Sequence, residues 1–312
     1  MQSQVAVDRA VATAIPMRRR QRRIDLYPYL LVAPAMLFIL IVTVYPSIYA
    51  VRLSLFDANL LRFAASQFVG LDNYAAAFRD KIFLESILRT VQWIVVIAAS
   101  LLIVALPVAL LLNRNFRGRG LIRTAVLIPW VVPGAVVAII WRYLTDSNHG
   151  IINDLLVRGG ILDAPVSWIS QPLGAFIIIV IAMIWSGFPF FAITLLAALQ
   201  VIPTDLYESA KVDGATGWQS FRFITFPMLL PTILMLLLIR SIWLSHAVDM
   251  PFMMTNGGPG YSNYTIAVYS FLLTHSQLEI GYPAAIAVML AIVLLLASAV
   301  YIRLIERSRD WM

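Results

Sequence analysis

The sequence predicts an all-α polytopic membrane protein with six spans, and three observations carry that prediction. Of its 312 residues, 61% are hydrophobic and 12% charged, against about 25% charged in soluble domains. The apolar residues fall into six runs of about 20 residues, the length that crosses some 30 Å of hydrocarbon. The Lys and Arg residues gather beside the ends of those runs. The net charge of +7 therefore reads as membrane topology and not as a nucleic-acid surface.

The first span is expected over 26–51. It follows MRRRQRR, residues 17–23, which has the charge of a signal-peptide n-region. The run behind it is too long for an h-region and shows no small-residue cleavage site, so it reads as a retained span. The others are expected over 87–112, 121–144, 172–199, 226–252 and 283–304. Prolines interrupt most of them: Pro34 and Pro46, Pro107, Pro129 and Pro133, Pro189, and Pro231. Each frees backbone groups that neighbouring helices, water or a cavity must satisfy, which suits a transporter that bends and equally a static kink.

Orientation follows from the cations. With the N-terminus inside, the inner segments hold the arginines of the tail, then Arg114, Arg117, Arg119 and Arg123, then Lys211 and Arg222, and finally Arg303, Arg307 and Arg309. The outer segment 253–282 holds none. Both termini are expected in the cytoplasm, with a basic tail over 1–25, a transmembrane domain over 26–304 and a short tail over 305–312.

Between the fourth and fifth spans, on the inner side, lies YESAKVDGATGWQSFRFITFPMLLP, residues 207–231, far more polar than its flanks. Pro203 ends the span before it. Asp205 and Glu208 have capping-box spacing, Gly214 is the natural C′ residue, and Thr216 and Gln219 make a second capping box. Two short helices meeting at an angle are therefore expected over 205–224. The first presents Leu206, Tyr207 and Ala210 at helical spacing, and the second Trp218 and Phe221. Ala210 and Ala215 flank the turn and leave room for another backbone. From these local features alone, the pair suits a helix pair lying on the membrane and a docking knob for a cytoplasmic partner equally well.

Most enzyme chemistry is excluded. With no cysteine, there is no disulfide, thiolate metal site or thiol nucleophile. His149, His246 and His275 lack metal-ligand spacing, and neither G-x-S-x-G nor H-E-x-x-H occurs. No phosphate loop occurs either, so the chain is not expected to hydrolyse ATP. The glycines of NGGPG follow an apolar run and read as a tight turn around Pro259.

The order Glu208, Ser209, Ala210, then Gly214, Ile224 and Pro227 resembles the EAA motif of permease subunits in bacterial ABC importers: E-A-A, three residues, G, nine residues, I, one residue, L, P. Ser209 stands where Ala is usual and Phe226 where Leu is usual. FVGLDNYAAAF (68–78), RTAVLIPWVVPGAVVAIIWRYL (123–144) and DMPFMMTNGGPG (249–260) resemble the outer loop, third span and post-fifth-span segment of maltose-type carbohydrate permeases. The resemblance covers nearly the whole chain beyond the tail. It implies the ABC-importer permease fold in a bacterial inner membrane, and a translocation pathway shared with a second homologous permease. It also implies an ABC ATPase dimer carrying ATP and Mg, an extracytoplasmic solute-binding protein, and a sugar or sugar derivative as substrate. This chain itself would bind no cofactor and no nucleic acid, only membrane lipid around it. Carried over by residue, ATPase coupling falls to Glu208, Ser209, Ala210, Asp213, Gly214 and Ala215. Glu208 would pair with a basic group and Gly214 would permit the bend.

Sugars are held by aromatic faces and a few hydrogen-bonding groups, which makes Trp185, Phe188, Phe190, Trp243 and His246 candidates for the pathway. Arg240 and Asp249 are costly in hydrocarbon and should face the bundle interior, a partner or water. On one continuous helix, nine residues of separation would put them on opposite faces. Arg240 suits an anionic group on a sugar, and equally a structural pairing with the second permease. An ion-gradient-driven secondary transporter is the alternative class. It calls for membrane carboxylates, of which Asp249 is a thin supply.

Overall fold

The protein is described here by a computed structural model covering residues 27–309; residues 1–26, which include the expected tail over 1–25, and residues 310–312 lie outside the described residues. The chain divides into two compact units, 1–48 and 49–312.

In the first unit, α1 (Tyr27–Ile39) runs into a π-helical turn, Leu40–Val44. That widened turn lies where the Pro46 ring would otherwise collide with the Val42 carbonyl. The Ser47 hydroxyl donates to the Thr43 carbonyl at 2.6 Å. The large apolar side chains here are exposed, Leu30 by 73% and Phe38 by 66%. In lipid that exposure has little cost, because the tails are as apolar as leucine.

The second unit begins within α2 (Tyr45–Leu53) and continues as β1 (Phe56–Asp57), β2 (Gln67–Phe68), α3 (Asp72–Ala77), α4 (Lys81–Asn113), α5 (Arg119–Val131), α6 (Gly134–Leu144), α7 (Ile151–Arg158) and α8 (Pro172–Val201). After these come α9 (Thr204–Val212), α10 (Gly217–Ser220), α11 (Phe226–Ser245), α12 (Asp249–Thr255), α13 (Ile266–Ser276) and α14 (Gly281–Arg309). The two strands form a small antiparallel ladder, Phe56 opposite Phe68. Among the described residues, five helices are long and apolar enough to cross a membrane. The pair α5 and α6, bent by 93°, makes a sixth span if it is counted as one.

That bend corrects the expected continuous span over 121–144. Val132 is driven to extended backbone (ψ 126°) by the proline after it, and Pro133 (ψ 141°) has no N–H with which to continue a helix. Pro34, Pro107, Pro129, Pro189 and Pro231, by contrast, sit inside helices that run through them. The fifth span also stops early: α11 ends at Ser245, and His246 (ψ 11°) leaves the helix before α12 begins.

The core lies between α4 and α8. Ile97, Leu101, Ala105, Ala109 and Leu112 make one stripe at three- and four-residue spacing, each at most 1% exposed. The alanines let the backbones approach closely, which matters in a membrane where helix association rests on packing. The opposite face carries Ile103 and Leu111, exposed for lipid.

One carboxylate ties the start of α4 to two other helices. Asp80 Oδ1 accepts from the backbone N–H groups of Ile82 (2.9 Å) and Phe83 (3.3 Å), capping α4. Its Oδ2 accepts from the Tyr282 hydroxyl of α14 at 2.7 Å and from the Tyr269 hydroxyl of α13. Burial pushes the Asp80 carboxyl up, but the hydrogen bonds from Tyr269, Tyr282, Phe83 and Ile82 together outweigh it and hold it below the ordinary carboxylate range. Nearby, the Asn73 amide donates to the carbonyls of Ser54 (2.9 Å) and Phe56 (3.0 Å). At Gly281 a Cβ would overlap the Phe56 carbonyl, so only glycine allows that approach.

Candidate functional site

Two places hold the residues that the sequence singles out. The first is the α9–α10 corner. Gly214 has φ +78°, the left-handed conformation of a helix C′ residue. Its N–H donates to the Lys211 carbonyl at 3.1 Å, and the Ala215 N–H to the Ala210 carbonyl at 2.9 Å, the paired bonds of a Schellman turn. On the far side, Thr216 Oγ1 accepts from the Gln219 N–H (3.3 Å) and Gln219 Oε1 from the Thr216 N–H (2.7 Å), closing the expected capping box. The other expected box does not form. Helix α9 already begins at Thr204 with Pro203 as its N-cap, which leaves Asp205 in the first turn, where its charge meets the helix dipole.

The side chains divide cleanly. Glu208, Ser209, Asp213 and Gly214 are exposed, and Ala210 and Ala215 are half-buried at the turn. Glu208 makes no ion pair among the described residues. Tyr207 departs from the expectation that it shares the presented face. It turns inward, packs on the core and shares a 2.9 Å hydrogen bond with Thr225. Trp218 stacks on Phe221 at 5.5 Å, and together with Tyr207 they face Leu106, Pro107 and Leu110 of α4 across a groove of about 720 Å³. A second π-helical turn, Phe221–Thr225, precedes Pro227 and relieves its ring as the first does for Pro46.

The second place is a cavity of about 440 Å³ between α8, α11 and α12, onto which Arg240, Trp243, His246 and Asp249 open. Because α11 stops at Ser245, Arg240 and Asp249 are on different helices and face one space; the expectation of opposite faces is overturned by that break. Gly134 and Gly187 make the arrangement possible. A Cβ at Gly134 would overlap the Asp249 carboxylate, and one at Gly187 would stand 3.3 Å from Arg240 Nη2. A smaller space of about 230 Å³ continues past Arg240 to an aromatic wall. There Phe190 lies 5.5 Å from Trp243 and stacks on Trp130 at 5.9 Å, 19° from parallel.

Two candidates are not on this cavity. Trp185 packs edge-on against Trp141 at 6.4 Å, and Phe188 is half-buried against the core. Trp130, Gly134 and Gly187 were missed. The signal that could have found the glycines is their place in apolar helices, where glycine usually marks a close approach. The NGGPG segment is the tight turn expected, with left-handed Asn256, Gly257 and Gly260 and the Asn263 amide donating to the Gly258 carbonyl at 2.7 Å.

Comparison with known proteins gives the chain its relatives. The family described as "Binding-protein-dependent transport system inner membrane component" matches residues 101–310. The sulfoquinovosyl glycerol transport system permease protein of Agrobacterium fabrum is 37% identical over 281 residues, 90% of each chain. The trehalose/maltose transport system permease protein of Thermococcus litoralis is 33% identical, over 90% of this chain and 94% of that one. A solved bacterial alginate ABC transporter, in complex with an alginate pentasaccharide-bound periplasmic protein, contains a chain of similar fold. Its TM-score is 0.73 at 27% identity, covering 89% of this chain and 93% of that one.

Proposed function

We propose a function from one premise: the chain belongs to the family of binding-protein-dependent transport system inner membrane components. It is a multi-pass permease subunit of an ABC importer in the inner membrane, is not itself catalytic, and works in a complex with a periplasmic binding protein and an ATPase. Our reading is that it carries a sugar or sugar derivative and forms the translocation pathway with a second, homologous permease. Both termini lie in the cytoplasm, and residues 205–224 couple the transmembrane domain over 26–304 to an ATPase dimer that holds ATP and Mg.

The observation that carries the coupling role is the division of labour in the α9–α10 corner. Its backbone is fixed by a Schellman turn and a capping box, and it is anchored inward through Tyr207 and Thr225. Yet Glu208, Ser209 and Asp213 point away from their own chain. A rigid knob with outward polar groups transmits a push, whereas a helix pair lying on lipid needs no such fixed corner. In this reading Glu208 pairs with a basic group of the ATPase, and Ala210 and Ala215 admit its backbone. The carbohydrate reading is supported by the named transport systems of the relatives and by the aromatic wall beside the cavity.

Reconstitution in proteoliposomes with the binding protein tests both. Sugar-loaded binding protein should stimulate ATP hydrolysis by the complex, and this chain alone should hydrolyse none. Glu208→Ala should lower the stimulation several-fold with complex yield unchanged. Uptake that follows an ion gradient and ignores ATP and binding protein sinks the reading in favour of a secondary transporter.

A further inference from the structure

Among the described residues, Arg123 and Arg240 each bury an Nε with no hydrogen-bond partner, and only Arg123 has another bond, from its Nη2 to the Leu112 carbonyl. A guanidinium carries five N–H donors in a fixed fork. Among the described residues Arg240 makes no ion pair, and its Nε is buried with no hydrogen-bond partner. Asp249 opens on the same cavity and does not neutralise it by contact. Its carboxylate sits instead against Gly134, at the start of α6. An arginine taken partly out of water and left without an acceptor is costly, and the structure keeps it so.

We propose that Arg240 is the oxyanion grip of the substrate pathway, so that the transported sugar carries a carboxylate, phosphate or sulfonate group. This rests on the sugar-type reading above and narrows it. The surroundings of Arg240 match such a ligand part by part. Gly187 removes the bulk beneath the guanidinium, so its planar fork reaches the open space and can take two oxygens of one anion. Beside it, the rings of Trp243, Phe190 and Trp130 offer flat apolar faces for the C–H face of a pyranose. Asp249 accepts from sugar hydroxyls at the other side of the cavity. The space of about 440 Å³ falls within the range of ordinary small-ligand pockets, about 300–1,000 Å³. A structural arginine reserved for the second permease would need an acceptor from that subunit, but neither the aromatic wall nor the glycine beneath the fork.

Equilibrium dialysis of the detergent-solubilised complex, binding protein omitted, reads the preference at the permease itself. The probes share one ring: radiolabelled methyl glucoside, glucuronate, glucose 6-phosphate and the corresponding 6-sulfonate. At least one anionic ring should bind about ten-fold or more tightly than the neutral one. Arg240→Gln should bring that anion to the neutral level with complex yield unchanged, and Arg240→Lys should keep part of the preference, since a point charge replaces the fork. Equal affinity for neutral and anionic rings in the unaltered complex overturns the oxyanion grip and leaves the sugar-type importer standing. Loss of assembly in Arg240→Gln, restored by Arg240→Lys without any anion preference, assigns the arginine to the partner permease and overturns it as well. If no ring binds and no sugar-loaded binding protein stimulates hydrolysis, the sugar reading falls with it.

Discussion

At the start of α4 a single carboxylate is wholly occupied inside its own chain, whereas past the far end of α8 a carboxylate of the same charge has no ion-pair partner among the described residues. Asp80 accepts from two backbone amides and two tyrosine hydroxyls, tying α4, α13 and α14 together. Glu208 stands exposed on a short helix whose C-terminal end is tied down by a Schellman turn. Polar groups in a membrane protein are expensive wherever lipid can reach them, so each needs a partner or a reason. Where the partner lies within the chain, the group holds the fold. Where the corner is rigid and the side chain free, as at Glu208, the coupling proposed above gives it a partner on another chain. Asp80 should therefore answer to stability measurements and the α9–α10 corner to transport measurements.

The largest effect expected from that contrast is at Gly214. Its φ of +78° leaves a Cβ open space, with nothing within 4 Å, so any penalty of substitution is conformational and not a clash inside the chain. Gly214→Val should strain the turn by about 1–3 kcal/mol and depopulate the docked shape about five- to 150-fold. Insertion and the melting temperature of the spans should hold, while binding-protein-stimulated ATPase and uptake fall together. Normal uptake in this variant would return the corner to the role of an interfacial helix pair.

Asp80→Ala should do the reverse. It removes an N-cap and a charged acceptor of two tyrosine hydroxyls, at a cost of about 2–3 kcal/mol. Thermal unfolding in detergent should show a lower Tm, while uptake per assembled complex stays level. A drop in uptake with no change in Tm would erase the distinction between the two regions.

What the sequence revealed of this contrast follows from how local each signal is. Gly214, Thr216 and Gln219 could be read from spacing because caps and turns are decided within a few residues. The spans could be read because hydrocarbon thickness fixes their length. The inward turn of Tyr207 could not, since it depends on Thr225, 18 residues further on. The break at Pro133 had a local signal that Pro107, Pro129 and Pro189 lack, the following Gly134, which makes a Pro-Gly turn dipeptide. What the sequence did not show is the packing that uses the bend: α12 lies across α6 there, with Asp249 against Gly134. The shared cavity of Arg240 and Asp249 was hidden as well, because α11 ends after Ser245 with no proline or glycine to announce it.

The smallest effect is in pH, and it sharpens the reading of Asp80 as an occupied charge. Its carboxyl titrates below the ordinary range because the hydrogen bonds it receives outweigh its burial. A carboxylate whose folded pKa lies below its unfolded value, about 3.9, contributes its full stabilisation above that value. The contribution is lost as pH falls through the folded pKa, where the unfolded chain binds the proton first. Asp80→Asn keeps a capping oxygen but has no charge to lose. The difference in Tm between the unaltered protein and Asp80→Asn should be flat from pH 7 down to about 5, then close as pH drops below about 4. A difference that begins to close near pH 6 would mean that burial, and not the tyrosine and amide hydrogen bonds, sets the state of Asp80. The knot at the start of α4 would then hold by packing alone.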